Sequence, residues 1–480
     1  MQWPPEALVR VPERSGRTYW TEGGDLSLRI LQDVVSPGPR AAAAELYVAK
    51  LTAKLGRDSE AQLREHAKAM PQNEWIYDWN TATPPQIPPG TRVLLDDETL
   101  RDGLQNPSVC DPTIEEKIEI LHLMESLGID SVNIGLPGAG PRAAAHTEAL
   151  ASEIVTSRMK IKPNCAARTH ENDIRPIVEI SERVGIAIEA ATFLGSSPIR
   201  RLVEEWTVEH LQRTTENAVK FAVQHGLPSM YVTEDTIRTD PETVKRLYST
   251  AIRNGARAVV LCDTVGHATP NGAFNLVKFV VDEVVKPSGE NIRVDWHGHN
   301  DRGLAIANSL AAVAGGAHQV HGAANALGER VGNTPMELML VNLRLMGLID
   351  RDLSNLRHYC EKVARATKTS IPLNYPVIGH DAFRTATGVH AAAIVKAIQK
   401  GDQRLADDVY SGVPAHLFGL EQIIEIGPMS GKSNVLFWLA RHQIPADDAV
   451  VSRILDAAKQ SQRVLTDAEI HALCTEPAPR

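Results

Sequence analysis

The chain has 480 residues, of which 43% are hydrophobic and 23% charged, and its formal net charge is −9. This length suggests one large domain with attachments, and an acidic chain without a basic cluster is a poor partner for nucleic acid. No apolar run reaches the length of a membrane span, no signal-peptide core opens the chain, and five scattered cysteines without a CxxC pair favour a reduced, cytoplasmic protein.

Residues 1–90 differ in composition from the rest of the chain. An alanine-rich stretch with scattered charged residues predicts a helix, and the proline-rich segment TATPPQIPPG ends the region as a connector. We therefore expect a partly helical N-terminal extension, for which packing in a dimer is the working hypothesis.

Residues 91–350 alternate short valine- and isoleucine-rich runs with amphipathic stretches of helical length. Eight such βα units in a row predict a (β/α)8 barrel, a TIM barrel of the α/β class. An open doubly wound sheet is the alternative, but it would place a glycine-rich phosphate turn after its first strand. Residues 351–480 read as a mainly helical C-terminal subdomain. The predicted strands span residues 92–97, 130–135, 160–165, 186–193, 229–234, 258–264, 293–299 and 318–324.

The segment WHGHND places two histidines at the end of the seventh predicted strand. His297 and His299 are two positions apart, so both imidazoles lie on the same face of the strand. If the barrel closes, Asp102 after the first strand and Asn333 after the eighth lie beside them. Two imidazoles and a carboxylate form a common divalent-metal ligand set. The alternative is a pair of polar residues that end a strand.

The segment LDDETLRDGLQNPS crowds charges where the first strand ends. Arg101, next to Asp102, is suited to stabilise negative charge on the carbonyl oxygen of a 2-oxo acid, although a salt bridge across the rim is the alternative. Gln105 is a candidate substrate contact. Asp96, Asp97 and Glu98 are expected to line or solvate the barrel rim.

Three segments in this order, ETLRDG, HGHND and NALGERVGN, resemble the DRE-TIM metallolyase superfamily. More narrowly, they are similar to its 2-isopropylmalate synthase and homocitrate synthase family. The resemblance continues through TEDTIRTDPE, CDTVGHATP, TGVHAAAI and IGPMSGKSN, and it covers about residues 90–475.

The resemblance implies roles for individual residues. It makes Asp102, His297, His299 and Asn333 the metal set, Arg101 the oxo-acid contact and Thr264 the carboxylate contact. Glu234 and His390 would form an acid–base pair, with His390 supplied by the partner subunit of a homodimer. Tyr410 matches a tyrosine of the homocitrate synthases, and Arg168, after the third strand, is a further predicted substrate contact. Without the resemblance, His390 and Tyr410 would read as ordinary helix residues.

The implied reaction is a metal-dependent Claisen condensation of acetyl-CoA, the co-substrate, with a 2-oxo acid. The favoured acceptor is 2-oxoisovalerate, which gives 2-isopropylmalate in leucine biosynthesis, and the ligand set suits Mg²⁺, Mn²⁺ or Zn²⁺. The alternatives are a homocitrate or citramalate synthase, or a carbon–carbon lyase similar to hydroxymethylglutaryl-CoA lyase.

Some positions depart from the usual synthase pattern. Leu104 in LRDGLQN resembles the lyase branch, Asn133 stands where many synthases carry glutamate, and TGVHAAAI is closer to the homocitrate synthases. The GERVGN loop, which lacks the cysteine of the lyases, favours condensation. A leucine-binding regulatory domain is not expected within the chain.

Overall fold

The computed structural model describes residues 76–400 and 403–475, together with two short strands near the start of the chain. Those strands, Val11–Pro12 and Thr18–Tyr19, pair antiparallel. The predicted extension of residues 1–90 therefore falls largely outside the described residues, and its helical character stays a prediction.

Eight parallel strands close into a barrel in which each strand pairs with the next along the chain and the eighth pairs with the first. The (β/α)8 architecture predicted from the sequence is confirmed, and the alternative of an open sheet is wrong. The strands, numbered β1 to β8 in chain order, are Leu94–Asp97, Ser131–Asn133, Lys162–Arg168, Glu189–Gly195, Ser229–Glu234, Ala258–Asp263, Arg293–Gly298 and Gln319–Gly322.

Helices alternate with these strands and continue after the barrel. Helices α1 to α10 are Ile114–Ser126, Pro141–Thr156, Glu171–Val184, Pro198–Glu204, Val208–Gln224, Pro241–Arg253, Pro270–Val280, Ala305–Gly315, Met336–Leu345 and Leu356–Thr367. Helices α11 to α15 are Gly388–Gln399, Gln403–Asp408, Lys432–Arg441, Asp448–Gln460 and Asp467–Thr475. Among the helices of the described residues, none combines the length and the apolar character that a membrane crossing requires.

The chain forms two compact units. The larger unit comprises Thr83–Ala382 and Leu417–Gly419, and the smaller one includes Phe383–His416 and Leu420–Arg480. The larger unit runs past residue 350 because α10 packs on the barrel, where its Tyr359 hydroxyl donates to the buried Asp97 carboxylate of β1. The predicted mainly helical C-terminal region is confirmed and begins inside this larger unit.

Local sequence explains why these elements form. The run AVVLCD of β6 is buried along its whole length, as expected for a parallel strand covered by helices on one side and by other strands on the other. Helix α1 begins at a capping box, in which the Thr113 hydroxyl accepts from the Glu116 amide and the Glu116 carboxylate accepts from the Thr113 amide.

The barrel interior has two chemically different halves. Strands β1, β7 and β8 contribute Asp96, Asp295 and His321, all at most 3% exposed. Asp96 reaches across the interior, since its Oδ1 accepts from Asn164 on β3 at 2.7 Å. Strands β4, β5 and β6 instead contribute an apolar cluster of Ala191, Met230, Ala258, Val260 and Cys262.

Candidate active site

The predicted metal ligands gather where barrel strands end. His297 lies in β7 and His299 directly follows it, while Asp102 lies in the turn after β1. The loop after β8 brings Asn333 next to β7, because residues 299 and 333 form an isolated β-bridge. Active sites of (β/α)8 barrels occupy this carboxyl end of the strands.

Asp102, His297 and His299 point their donor atoms at one another. The Nε2 atoms of the two histidines lie 3.3 Å apart, and each is 3.7 Å from Oδ2 of Asp102. Donor atoms held about 2.1 Å from a common ion lie roughly 3 to 3.5 Å apart, so this spacing fits a divalent cation after small adjustments. The three residues are buried, as an enclosed ligand set requires.

Asn333 completes this group. Its Nδ2 donates to Oδ2 of Asp102 at 2.8 Å and to the Leu327 carbonyl at 2.9 Å, which fixes the orientation of the amide. Its Oδ1 is then a buried acceptor without a hydrogen-bond partner among the described residues. A buried polar atom without a partner is costly, so the donor set fits a ligand that binds between these side chains.

The electrostatics favour cation binding by the same residues. Burial lowers the pKa of His297 to about 3 and that of His299 below its ordinary value, so both imidazoles are neutral near pH 7 and keep a lone pair for a ligand bond. Burial alone would raise the pKa of Asp102, but the Arg101 guanidinium is the main influence that holds it below its usual range. Asp102 is therefore ionised.

Glycines in the NALGERVGN segment allow its loop to close on the site. Gly332 has φ +89°, and a Cβ there would lie 1.6 Å from the Ala326 carbonyl oxygen. At Gly328, φ is +147° and a Cβ would lie 2.3 Å from Nδ2 of Asn333. A side chain at position 328 would displace Asn333, and one at position 332 would collide with the loop backbone at Ala326, so both glycines are needed for the geometry of the loop.

Arg101 lies between two carboxylates. Its Nη1 donates to Oδ1 of Asp102 at 2.7 Å and its Nη2 to Oε2 of Glu98 at 2.5 Å. Its Nε is buried and has no partner among the described residues. Arg101 therefore lies beside the predicted metal site and lines the same cavity as Asp102 and the two histidines.

Three further predicted residues, Gln105, Glu234 and Thr264, line the same cavity of about 270 Å³. Burial raises the pKa of the Glu234 carboxyl, which suits it to exchange a proton closer to neutral pH than an exposed glutamate. The Thr264 hydroxyl accepts a hydrogen bond from the Asp235 amide at 2.8 Å.

Arg168 lies apart from this cavity. Its side chain is 71% exposed, and it forms a bidentate ion pair with Asp173 at 2.6 and 3.0 Å. The structure therefore does not bring this predicted substrate contact together with the others.

His390 and Tyr410 belong to the smaller unit. Their rings stack with centroids 4.1 Å apart, and both side chains are exposed. The two residues are thus neighbours, as a joint role would require, and their part in catalysis stays a prediction.

The expectation that Asp96, Asp97 and Glu98 line or solvate the rim is wrong for Asp96 and Asp97, which are fully buried, whereas Glu98 lines the cavity. All three are at most 3% exposed, because each carboxylate has polar partners inside the barrel or under α10. Asp97, for example, accepts from the Thr99 amide at 2.8 Å and from Tyr359.

His321 is a buried residue that the sequence reasoning missed. Its Nδ1 lies 3.2 Å from Oε1 of Glu98, and its Nε2 lies 3.4 Å from Oδ2 of Asp295. Burial would lower its pKa, but Asp96, Asp295 and Glu98 raise it to about 10, so His321 is a buried cation. The signal was present in HQVHGAA, where Gln319 and His321 alternate with apolar residues on a barrel strand.

Comparison with known proteins identifies the family. A model described as HMGL-like matches residues 92–363, more than half of the chain. The chain belongs to the HMGL-like family. This confirms the resemblance carried by the three segments on β1, β7 and β8.

Relatives of this HMGL-like chain carry different synthase names. A protein of Methanopyrus kandleri named "Probable 2-isopropylmalate synthase" is 33% identical over 66% of the chain, and the match spans 61% of that relative. A homocitrate synthase AksA of the same organism is 31% identical over 79% of the chain and 91% of its own length. A homocitrate synthase AksA of Methanothermobacter thermautotrophicus is 29% identical over 77% of the chain.

The fold also has solved counterparts. An HMG-CoA lyase of Bacillus subtilis matches with a TM-score of 0.50 and 19% identity. The match covers 59% of this HMGL-like chain and 97% of the lyase chain. This likeness supports the barrel architecture.

Proposed function

We propose that the protein condenses acetyl-CoA with a 2-oxo acid whose side chain is apolar, with 2-oxoisovalerate as the preferred acceptor and 2-isopropylmalate as the product. This would make it a metal-dependent acyltransferase of leucine biosynthesis. The five cysteines, all of them free thiols, are consistent with the cytoplasmic location expected from the sequence.

The division of the cavity lining supports this choice of acceptor. The side that carries Arg101, Asp102 and the two histidines suits the oxo and carboxylate groups. The opposite side is apolar and suits a short branched alkyl chain, since each buried methylene contributes about 0.8 kcal/mol. The apolar lining consists of Leu136, Ala166, Ala191, Phe193, Met230, Val232, Val260 and Cys262.

The charges of the lining disfavour an acceptor with a second carboxylate. The two arginines of the lining, Arg101 and Arg330, already form ion pairs with carboxylates, Arg330 with Asp301 at 2.9 Å. Glu98, Glu234 and Glu329 also line the cavity, and a carboxylate among them would be repelled.

The chemistry assigned to each residue follows from its position. A divalent metal held by Asp102, His297 and His299, with Asn333 beside them, supplies Lewis-acid polarisation when bound. The Arg101 guanidinium stabilises negative charge on the keto oxygen, and the Thr264 hydroxyl, which accepts from the Asp235 amide, donates its own hydrogen to the substrate carboxylate.

The proton transfers are assigned to Glu234, with His390 and Tyr410 as the predicted further participants. A base removes a proton from the acetyl methyl group, and the resulting carbanion adds to the keto carbon, whose oxygen is protonated to a hydroxyl. Water then hydrolyses the thioester and releases CoA as the thiol together with the 2-alkylmalate.

A thiol-release assay tests this proposal. Acetyl-CoA is supplied with 2-oxoisovalerate, pyruvate or 2-oxoglutarate, with and without Mn²⁺ or Mg²⁺, and products are identified by mass spectrometry. We expect metal-dependent CoA release that is fastest with 2-oxoisovalerate, because a missing methylene costs roughly tenfold or more in kcat/KM. The Asp102→Ala variant should be inactive while its circular dichroism spectrum is unchanged.

The other outcomes distinguish the alternatives. CoA release that is fastest with 2-oxoglutarate would identify a homocitrate synthase, the name of two relatives, and a preference for pyruvate would identify a citramalate synthase. Cleavage of hydroxymethylglutaryl-CoA, with no release from acetyl-CoA and any oxo acid, would identify a lyase and overturn the proposed condensation.

A further inference from the structure

We propose that Glu98 is a positioning residue that holds the Arg101 guanidinium toward the 2-oxo acid, and that His321 holds Glu98 in turn. This inference rests on the proposed condensation. It assigns a role in the reaction to a pair of buried groups that lie beside the predicted metal site.

Both terminal nitrogens of Arg101 donate hydrogen bonds to carboxylates. Oε2 of Glu98 accepts from Nη2 at 2.5 Å, and Oδ1 of Asp102 accepts from Nη1 at 2.7 Å. Two charge-assisted hydrogen bonds to a planar guanidinium fix both its position and its plane. The guanidinium of this cavity-lining residue is thereby held in one orientation, so Arg101 meets a substrate oxygen without first losing conformational freedom.

Glu98 is itself held on its other oxygen. Its Oε1 lies 3.2 Å from Nδ1 of His321, and the residue is 3% exposed. His321 is anchored on its far side, where Nε2 lies 3.4 Å from Oδ2 of Asp295. Consecutive contacts therefore link Asp295 in the barrel interior to His321, Glu98 and Arg101. Each side chain restricts the conformational freedom of the next one.

An alternative role for Glu98 is metal ligation. Glu98, His297 and His321 also have potential ligand atoms within 4.8 Å of one another. However, Glu98 already contacts Arg101 on Oε2 and His321 on Oε1, and His321 uses its other nitrogen toward Asp295. Both carboxylate oxygens are thus engaged by nitrogen donors, which favours the positioning role.

The Glu98→Gln variant tests the proposal, because it keeps the shape of the side chain and removes its charge. We expect the KM for the 2-oxo acid to rise about tenfold or more, while the KM for acetyl-CoA changes less than about twofold. Calorimetric titration with Mn²⁺ should still show binding, weakened by no more than about tenfold, since Glu98 acts on the ligand Asp102 only through Arg101. Binding of the oxo acid to the Mn²⁺-loaded protein, measured without acetyl-CoA, should weaken in parallel with KM.

Glu148→Gln is the matched control. Glu148 also forms an ion pair with an arginine, Arg183, at 2.7 Å, but neither residue lines the cavity. The control variant should keep the oxo-acid KM of the wild type. His321→Gln should shift the oxo-acid KM in the same direction as Glu98→Gln. If Glu98→Gln does not fold, Glu98→Asp keeps the charge, withdraws the carboxylate by one methylene and should raise the same KM.

Several results would overturn the inference. They are an unchanged oxo-acid KM in a folded Glu98 variant, an equal rise in Glu148→Gln, or a loss of Mn²⁺ binding, which would make Glu98 a ligand. A wild-type protein that releases no CoA with any oxo acid would instead overturn the proposed function, and this inference with it.

Discussion

Glu234 shows how burial tunes a single side chain for the proposed reaction. Its carboxyl lines the cavity, and burial raises its pKa above the ordinary 4.5. A carboxylate base is active only when deprotonated, so activity should fall as the pH drops through this raised pKa. We predict an acidic limb in the pH profile of kcat that lies above pH 4.5.

Replacement of Glu234 by glutamine tests this assignment. We expect kcat to fall by about 10²-fold or more and the acidic limb to disappear, since the amide cannot accept the proton. The measurement is thiol release in buffers from pH 4 to 9, with circular dichroism as the check of folding. An acidic limb that persists unchanged in Glu234→Gln would assign the proton transfer to another group.

The same scale shows what a sequence can say about a site. The proximity of His297, His299 and Asp102 was predictable, because a spacing of two on a strand fixes a shared face and barrel closure fixes the neighbouring strands. The burial of Glu98 and His321 was not, since a charged residue at the end of a strand gives the same sequence pattern whether it is solvated or buried. Only the register, which places His321 opposite Asp96, brings these charges together inside the barrel.

At the scale of elements, the strands were predicted because their valine and isoleucine runs alternate with helical patterns. The run SMYVTE is a strand over Ser229–Glu234, as expected. The end of the barrel unit was harder to predict, because α10 looks in sequence like any amphipathic helix. Its attachment depends on Tyr359, which reaches a carboxylate of β1 that lies 262 positions earlier in the chain.

Helix α9 is tied to the active-site loop through a buried carboxylate. Glu337 accepts from the Asn325 amide at 2.9 Å and from the Tyr375 hydroxyl at 2.5 Å, and burial raises its pKa to about 7. The folded chain therefore holds this proton more tightly than the unfolded chain. That contribution to stability is complete below the unfolded pKa and is lost as the pH rises toward about 7.

Glu337→Gln removes this titration. We predict that the free energy of unfolding of the wild type, minus that of the variant, decreases by roughly 1 to 3 kcal/mol between pH 4.5 and 7. Urea denaturation at several pH values measures the difference. Tyr375→Phe keeps the carboxyl and should retain the pH dependence. A difference between wild type and Glu337→Gln that is constant over this range would contradict the buried, protonated carboxyl.

At the scale of the whole molecule, the predicted catalytic residues are divided between the two units. Asp102, Glu234 and Arg101 belong to the barrel unit, and His390 and Tyr410 to the smaller one. Val389, next to His390, is 72% exposed, and Met429, whose carbonyl accepts from the Gly388 amide, is 71% exposed. The homodimer in which His390 would act on the partner subunit stays a prediction.

Complementation between two inactive variants tests whether His390 acts across such a dimer. Asp102→Asn and His390→Asn should each be inactive alone and dimeric by light scattering. In a mixed dimer, one site combines the intact Asp102 of one subunit with the intact His390 of the other. Random mixing of refolded or co-expressed subunits should therefore restore about a quarter of the wild-type CoA release, because half of the dimers are mixed and each has one intact site.

If His390 instead acts within its own subunit, every site in the mixed dimer lacks one of the two residues. The mixture would then stay as inactive as its parents, although light scattering still reports dimers. A third possibility, full activity of His390→Asn alone, would remove His390 from the reaction. The three outcomes differ in activity and not in folding or assembly. The experiment therefore shows whether His390 acts in the partner's site, in the site of its own subunit, or not at all.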